Sequence, residues 1–382
     1  MANRKLGDAR RAKMDEFYTQ WSDIEREMNA YLEFDPHVFR DKTVLLPCDD
    51  PEWSNFTKYF ALHFVDFGLK KLISTSYAPE SNYSGSFYKP TLFETESPTY
   101  DADKSQTKGR LFTLTREDTS GDGKIDLDDL RWEYLEGNGD FRSHEVTALR
   151  DEADIVVTNP PFSLLREYTQ WLTATTCRFA LIANMNAIAY KEIFPLIRDD
   201  QIWLGATHFN QGMYFGVPES FEYADNYNFD REQNGVRVAR VPGICWFTNI
   251  DHGRRHEPLQ LMSMADNLKY NKKLAEIGYP PYDNYDAVEV GWVDAIPADY
   301  SGIMGVPITF LDKYNPDQFL IIGNGQGTRD ELGILPVGQE FVDTYYAQGN
   351  KGQISASWNN LVFHVGERVF VPYQRILIRL RG

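Results

Sequence analysis

Apolar residues recur with two different periods along the first 250 residues. Phe17, Trp21, Ile24, Met28 and Leu32 fall three or four apart, which predicts an amphipathic helix over residues 12–34. The short run Lys42-Thr43-Val44-Leu45-Leu46-Pro47 predicts a buried strand stopped by proline. Asn55 to Gly68 predicts a helix ending at Gly68, and Leu69 to Thr75 a second strand. Strand, helix, strand in this order is the unit that builds parallel sheets.

Residues 78–138 break the rhythm. They are polar, rich in Ser, Tyr, Asp and Gly, and predict an insertion with hairpin character at Leu111–Thr115 and Arg131–Leu135. The α/β pattern resumes at Asp151. Strands are predicted at Ile155–Thr158, Phe179–Ala183, Ile202–Gly205 and Gly243–Thr248, and helices at Ser163–Thr175 and Ala187–Arg198. A long aromatic loop, Asn210 to Asn228, lies between them. After residue 250 strand-length pieces alternate with loops rich in Pro, Tyr, Asn and Asp. The expected organisation is an α/β domain over 1–250, with the insertion at 78–138, and a second region over 251–382.

Composition fits a soluble globular protein, with 42% apolar and 25% charged residues. Cys48, Cys177 and Cys245 are too few and too scattered for a disulfide framework or a zinc site, which suits a reducing cytoplasm. The basic segment MANRKLGDARRAKMDEF has no apolar stretch behind it and does not read as a signal peptide, and no run is long enough to span a bilayer. The net charge of −17 argues against a nucleic-acid partner unless cations cluster locally. Residues 231–275 offer such a cluster, with Arg254, Arg255, Lys272 and Lys273 among its cations; a merely solvated surface accounts for the same charges.

One stretch carries chemistry. In DEADIVVTNPPFSLLREY (151–168) a core strand ends on Asn159, then Pro160, Pro161 and Phe162. Ligands gather at the carboxyl ends of strands in open parallel sheets. There the Asn159 side-chain oxygen and the Pro160 carbonyl are two closely fixed acceptors, suited to a planar exocyclic amine, while Phe162 can lie against the ring that bears it. The same four residues also suit a proline-stiffened loop with Phe162 in the core.

Several further segments, in order, resemble the adenine-specific DNA methyltransferases of the EcoRI type. They are MDEFYTQ (14–20), VLLPCDDPEWSNFTKYF (44–60), GNGDFRSHEV (137–146), TNPPF (158–162), NQGMYFGVP (210–218), GICWFTNI (243–250), IMGVPITFLDKYNPDQF (303–319) and YQRILIR (373–379). The resemblance implies a Rossmann-like S-adenosylmethionine-dependent methyltransferase sheet with a C-terminal target-recognition region. It implies that Tyr18 and Thr19 close over the methionine end of the cofactor. Cys48 and Asp49 would meet its polar end, with Pro51 shaping the turn. Asp140 would bind its adenine amine with Phe141 against the ring, and Asn159 would border both bound molecules. Two departures stand out: CDDPEW replaces a Gly-rich first loop, and the second strand ends Ser74-Thr75-Ser76 where an acidic residue usually holds the ribose.

The implied reaction is methylation of an adenine flipped out of double-stranded DNA. Phe162 would stack on the base, with Tyr214 and Phe215 as a second wall. Asn159 and Pro160 would hold the amine, and no membrane is involved. A restriction endonuclease of the same system would act separately and not in a stable complex. A methyltransferase acting on RNA or on a protein amide, and a catalytically silent DNA-binding module on the same fold, are the competing readings.

A second constellation has calcium-loop spacing. Asp118, Ser120 and Asp122 occupy positions one, three and five, the Lys124 carbonyl is at seven, and Asp129 is last. The expected role is a structural calcium ion stapling the insertion; an Asp/Gly-rich surface turn is the plainer alternative.

Overall fold

The computed structural model describes residues 18–49, 54–78, 95, 97–207, 209, 211–217, 219, 221–274, 276–325 and 329–381. These residues form two compact units. The first contains the described residues up to Met185 together with Leu204–Gly253; the second contains Asn186–Trp203 together with the described residues from Arg254 onward.

The first unit is built on strands β1 (Tyr18–Thr19), β2 (Thr43–Leu46), β3 (Lys71–Ser76), β4 (Arg110–Thr115), β5 (Arg131–Tyr134), β6 (Ile155–Thr158), β7 (Arg178–Asn184) and β8 (Trp203–Leu204), where the division between units falls. β9 (Met213–Gly216), β10 (Glu232–Gln233), β11 (Val236–Val241) and β12 (Ile244–Thr248) complete the set. Its helices are α1 (Trp21–Phe34), α2 (Asn55–Leu62), α3 (His144–Glu152) and α4 (Leu165–Thr173).

The main sheet runs β5-β4-β3-β2-β6-β7-β12-β8. β3, β2, β6 and β7 are parallel, whereas β4, β5 and β12 run antiparallel to their neighbours. The four predicted parallel strands are fully or almost fully buried, as strands covered on both faces should be. Val44, Leu46, Ile155, Val157, Ile182 and Trp246 belong to one core with Ile24, Met28 and Tyr31 of α1 and Phe56 and Phe60 of α2. Each such side chain contributes about 1.5–3 kcal/mol by leaving water.

The hairpin at 110–134 is not a separate appendage. β4 pairs residue for residue with β3, Leu72 opposite Leu114 and Ser74 opposite Phe112, so it extends the main sheet. The reason is the alternation in Arg110–Thr115, which buries Phe112 and Leu114 beside Trp132. The expected long helix at 187–198 is instead a 3₁₀ turn over Met185–Ala189 and a short helix, α5 (Phe194–Arg198), with Pro195 in its first turn. The loop expected at 210–228 contains a strand, β9, which joins a second sheet of order β1-β9-β11-β10.

The second unit holds β13 (Val288–Glu289), β14 (Met304–Pro307), β15 (Phe319–Asn324), β16 (Phe363–Val365), β17 (Arg368–Phe370) and β18 (Arg375–Leu380), arranged as β13-β14-β18-β15 and the pair β16-β17. Helices α6 (Met264–Tyr270), α7 (Arg329–Leu332) and α8 (Gln339–Ala347) accompany them. Arg375 forks onto the buried Glu289 at 2.6–3.0 Å, tying β18 to β13 across the intervening β14. Among the described residues no helix is long and apolar enough to cross a membrane.

Candidate active site

The chain leaves β2 through α2 to reach β3 on one side, while β6 lies on the other side of β2. Such a reversal opens a crevice beyond the carboxyl ends of the two central strands. The ends of β2 and β6 are tied there: the Thr158 hydroxyl donates to the Pro47 carbonyl at 2.8 Å.

The turn after β2 is held from β3. Asp49 N–H donates to the Thr75 carbonyl at 2.7 Å, Cys48 N–H reaches the Thr75 hydroxyl at 3.4 Å, and the Ser74 hydroxyl donates to the Asp49 carbonyl. Cys48 has a left-handed backbone (φ 65°). The buried Asp49 accepts from the Ser54 hydroxyl, the N-cap of α2, at 2.7 Å. The hydroxyl run that stands where an acidic residue was expected therefore supports the neighbouring loop. Desolvation, reinforced by the nearby charges of Asp49 and Asp140, pushes the Cys48 thiol up, so it stays protonated. Pro51 lies outside the described residues.

A third segment closes on the end of β3. The Ala78 N–H donates to the Asn138 carbonyl at 2.8 Å, and Gly139, with φ 83°, passes so close that a Cβ would stand 2.3 Å from the Ser76 carbonyl oxygen. Asp140 follows. One carboxylate oxygen accepts from Arg142 N at 2.8 Å and Nε at 2.9 Å, the other from Nη2 at 2.6 Å. The Arg142 guanidinium, helped by the Tyr77 hydroxyl, holds the Asp140 carboxyl down at about 2. Phe141 is fully buried, its ring against Tyr168 at 4.7 Å and Trp171 at 5.6 Å.

Beyond Asn159, Pro161 opens a 3₁₀ turn, Phe162–Leu164, that runs into α4. Leu164 N–H takes the Pro161 carbonyl at 2.9 Å, and among the described residues no donor reaches the Pro160 carbonyl. Half-buried Phe162 meets the buried Phe215 edge to face, centroids 6.5 Å apart. Phe215 lies opposite Thr19 in the β1–β9 pair, and Asn55 Nδ2 donates to the Thr19 carbonyl at 2.8 Å. Tyr18, Thr19, Phe162 and Phe215 are thus brought together. Tyr214, the next residue along β9, lies opposite Arg240 of β11, and successive residues of a strand face opposite sides of the sheet.

The pattern of apolar positions gave no hint of Glu27. This fully buried carboxylate of α1 accepts from Ala206 N at 2.8 Å, Thr207 N at 2.9 Å, the Thr207 hydroxyl and the Tyr31 hydroxyl at 2.7 Å. Burial raises its pKa, and these donors counter the rise. The available signal was an acidic residue on the apolar face of a helix.

One expectation needs correction. The calcium loop is not supported: Asp129 takes the N–H groups of Thr119, Ser120 and Asp126, and Asp118 those of Gly121 and Gly123. Asp122 accepts from Lys124 N–H. The carboxylates cap the turn itself, and among the described residues no group of three or more acidic, His or Cys side chains is placed to hold a metal ion. Three of the four cations singled out at 254–273 are held in ion pairs. Arg254 pairs with Asp312 at 2.6 Å, buried Arg255 pairs with Asp200 and lies 3.8 Å over the Trp203 ring, and Lys273 pairs with Asp294 at 3.4 Å.

A profile described as adenine-specific methyltransferase EcoRI matches residues 5–381. The Type II methyltransferase M.EcoRI of Escherichia coli is 41% identical over 331 residues, covering 86% of this chain and 91% of that protein. The Type II methyltransferase M.MpnI of Mycoplasma pneumoniae is 34% identical over 330 residues, covering 85% and 88%. No solved structure gives a significant match. Nearly the whole chain takes part in these matches, and it belongs to the EcoRI family of adenine-specific methyltransferases.

Proposed function

We propose that this chain is a site-specific DNA adenine methyltransferase, working in the cytoplasm, which moves the methyl group of S-adenosylmethionine to the exocyclic amine of an adenine extruded from double-stranded DNA. The observation that carries the reading is the position of the Asn159–Phe162 loop. It stands at the carboxyl end of β6, joined through Thr158 to the end of β2, where the strand order reverses. The parallel strands β3-β2-β6-β7 supply the Rossmann-like part of the fold, and the second unit is the candidate for target recognition.

The residues present fit S-adenosylmethionine. The Thr19 hydroxyl is buried and, among the described residues, has no hydrogen-bond partner. With Tyr18 it is assigned to the methionine end. Cys48 and Asp49 line the turn assigned to the polar end, and Asp140, ionised down to about pH 2, is a charged acceptor for the adenine amine. Bound there, the cofactor supplies a methyl group made electrophilic by its sulfonium.

The chain's own residues do the rest by positioning. The Asn159 side-chain oxygen and the Pro160 carbonyl accept the two N–H groups of the target amine, aim its lone pair, and stabilise positive charge as it develops. Phe162 covers the base, and Phe215 backs the Phe162 ring from its edge. No strong base is needed, because the alkylated amine is acidic enough to lose its proton to water.

Incubation with methyl-labelled S-adenosylmethionine and pools of DNA, RNA and protein, followed by digestion, tests the reading. Label is expected in N6-methyladenine from DNA; label confined to RNA or to a protein amide would overturn it.

A further inference from the structure

In a chain with 17 excess negative charges, a surface that meets phosphates must be locally cationic. The cations of 254–273 are a poor choice, since Arg254, Arg255 and Lys273 are each paired with a carboxylate. Arg142, Arg150 and Arg375 are paired as well. The strand pair β10–β11 differs. Arg231, immediately before β10, and Arg237 and Arg240 of β11 have no carboxylate partner among the described residues.

Aromatic rings hold them instead. Arg231 and Arg237 both lie over Tyr223, at 4.8 and 4.9 Å from its centroid, and Arg240 lies over Phe229 at 4.5 Å. The Tyr223 hydroxyl fixes that platform through the Val238 carbonyl at 2.8 Å, and the Tyr227 hydroxyl accepts from Arg240 N–H at 2.8 Å. A guanidinium has five N–H donors, and stacking on a ring uses none of them. Arg237 gives one to the Phe221 carbonyl and Arg240 one to Gln211, so most remain available. A planar fork already ordered on a ring suits two phosphate oxygens.

The location fits the reaction. Gln233 pairs with Val236 around a two-residue Asn234-Gly235 turn, both residues at positive φ, as a tight hairpin requires. β11 then pairs with β9, Ala239 opposite Phe215, and Phe215 touches Phe162 of the Asn-Pro-Pro-Phe loop. The hairpin is therefore one strand away from the proposed base wall. Over residues 231–241 its three arginines face a single carboxylate, Glu232, and the exposed Glu222, Asp225 and Asp230 of the preceding loop form no ion pair with them.

We propose that β10–β11 is a contact surface for the phosphate backbone of double-stranded DNA, with Arg231, Arg237 and Arg240 as the charges that meet it. Contacts of this kind position the duplex without reading its sequence. The proposal rests on the reading of the protein as a DNA methyltransferase.

The test is binding of a mixed-sequence DNA duplex by fluorescence anisotropy across a salt series, for the wild type, Arg231→Ala, Arg237→Ala, Arg240→Ala and Glu232→Lys. The slope of log K against log salt should fall by about 0.9 for each arginine removed and rise by a similar amount for Glu232→Lys, while binding of S-adenosylmethionine stays unchanged. Because Glu232 is exposed, Glu232→Lys tests the surface by a gain that loss of folding cannot mimic. Unchanged slopes in these variants, with salt-dependent binding by the wild type, would overturn the proposal alone. A wild type that binds DNA without salt dependence would instead count against the DNA reading beneath it.

Discussion

The Thr158 hydroxyl donates a 2.8 Å hydrogen bond to the carbonyl of Pro47, 111 residues earlier in the chain. Both residues are buried at the ends of adjacent parallel strands. The bond fixes the turn after β2 against the loop that carries Asn159.

Replacing Thr158 with Val keeps its shape and leaves the Pro47 carbonyl without this donor. The expected cost is about 1–3 kcal/mol of stability, with weaker binding of S-adenosylmethionine. Urea denaturation and calorimetry check both. An unchanged midpoint with wild-type affinity would show that the tie is dispensable.

Asn159→Ala removes one of the two proposed acceptors for the target amine. It should retain S-adenosylmethionine binding and lose methyl transfer by about a hundredfold or more. Single-turnover transfer to DNA is the measurement, and full activity would defeat the assignment of this loop.

Gly139→Ala puts a methyl group 2.3 Å from the Ser76 carbonyl oxygen on a backbone with φ 83°. The left-handed conformation alone costs about 1–2 kcal/mol, and the collision adds to it. The variant should melt well below the wild type. Because Asp140 is the next residue, a variant that remains folded should bind the cofactor less tightly.

Glu27→Ala removes the acceptor shared by the N–H groups of Ala206 and Thr207 and the hydroxyls of Thr207 and Tyr31. At about 1–3 kcal/mol for a buried donor left unpaired, a loss of about 2–3 kcal/mol is expected in equilibrium unfolding. A loss under 1 kcal/mol would mean that about one hydrogen bond's net worth, and not a clamp, resides there.

Asp129 is held at about 2, below the ordinary value of 3.8, chiefly by the Ser120 N–H and also by those of Thr119 and Asp126. A carboxyl whose folded pKa is depressed stabilises the protein above its unfolded pKa and loses that contribution as pH falls through the folded one. The advantage of wild type over Asp129→Asn in melting temperature should therefore shrink between about pH 4 and pH 2. Added calcium should move neither melting curve, since the loop carboxylates are committed to its own amides.

Much of this was visible in order along the chain. The strands at Thr43–Leu46, Lys71–Ser76, Ile155–Thr158 and Arg178–Asn184 fall where apolar runs placed them, because strands covered on both faces must be nearly continuous in apolar residues. The Asn-Pro-Pro-Phe loop stood out because two prolines end the pairing of a buried strand. The calcium spacing misled for a physical reason. Aspartates two and three residues apart can hold a cation or their own turn amides, and spacing does not distinguish the two. The ion pairs of Arg254 and Arg255 were not legible either, since a run of cations says nothing of the carboxylates that reach them from elsewhere.

Periodicity and turn chemistry act within a few residues, so the α/β character, the parallel strands and the loop that ends on Phe162 are legible along the chain. Meetings between distant residues follow from strand order, which is fixed when the sheet assembles. Assembly set Thr158 on Pro47, Glu27 on Thr207, Phe215 against Phe162, and Arg231, Arg237 and Arg240 on aromatic rings without carboxylates. No local pattern encodes these contacts, because each depends on which backbone segments the sheet lays side by side.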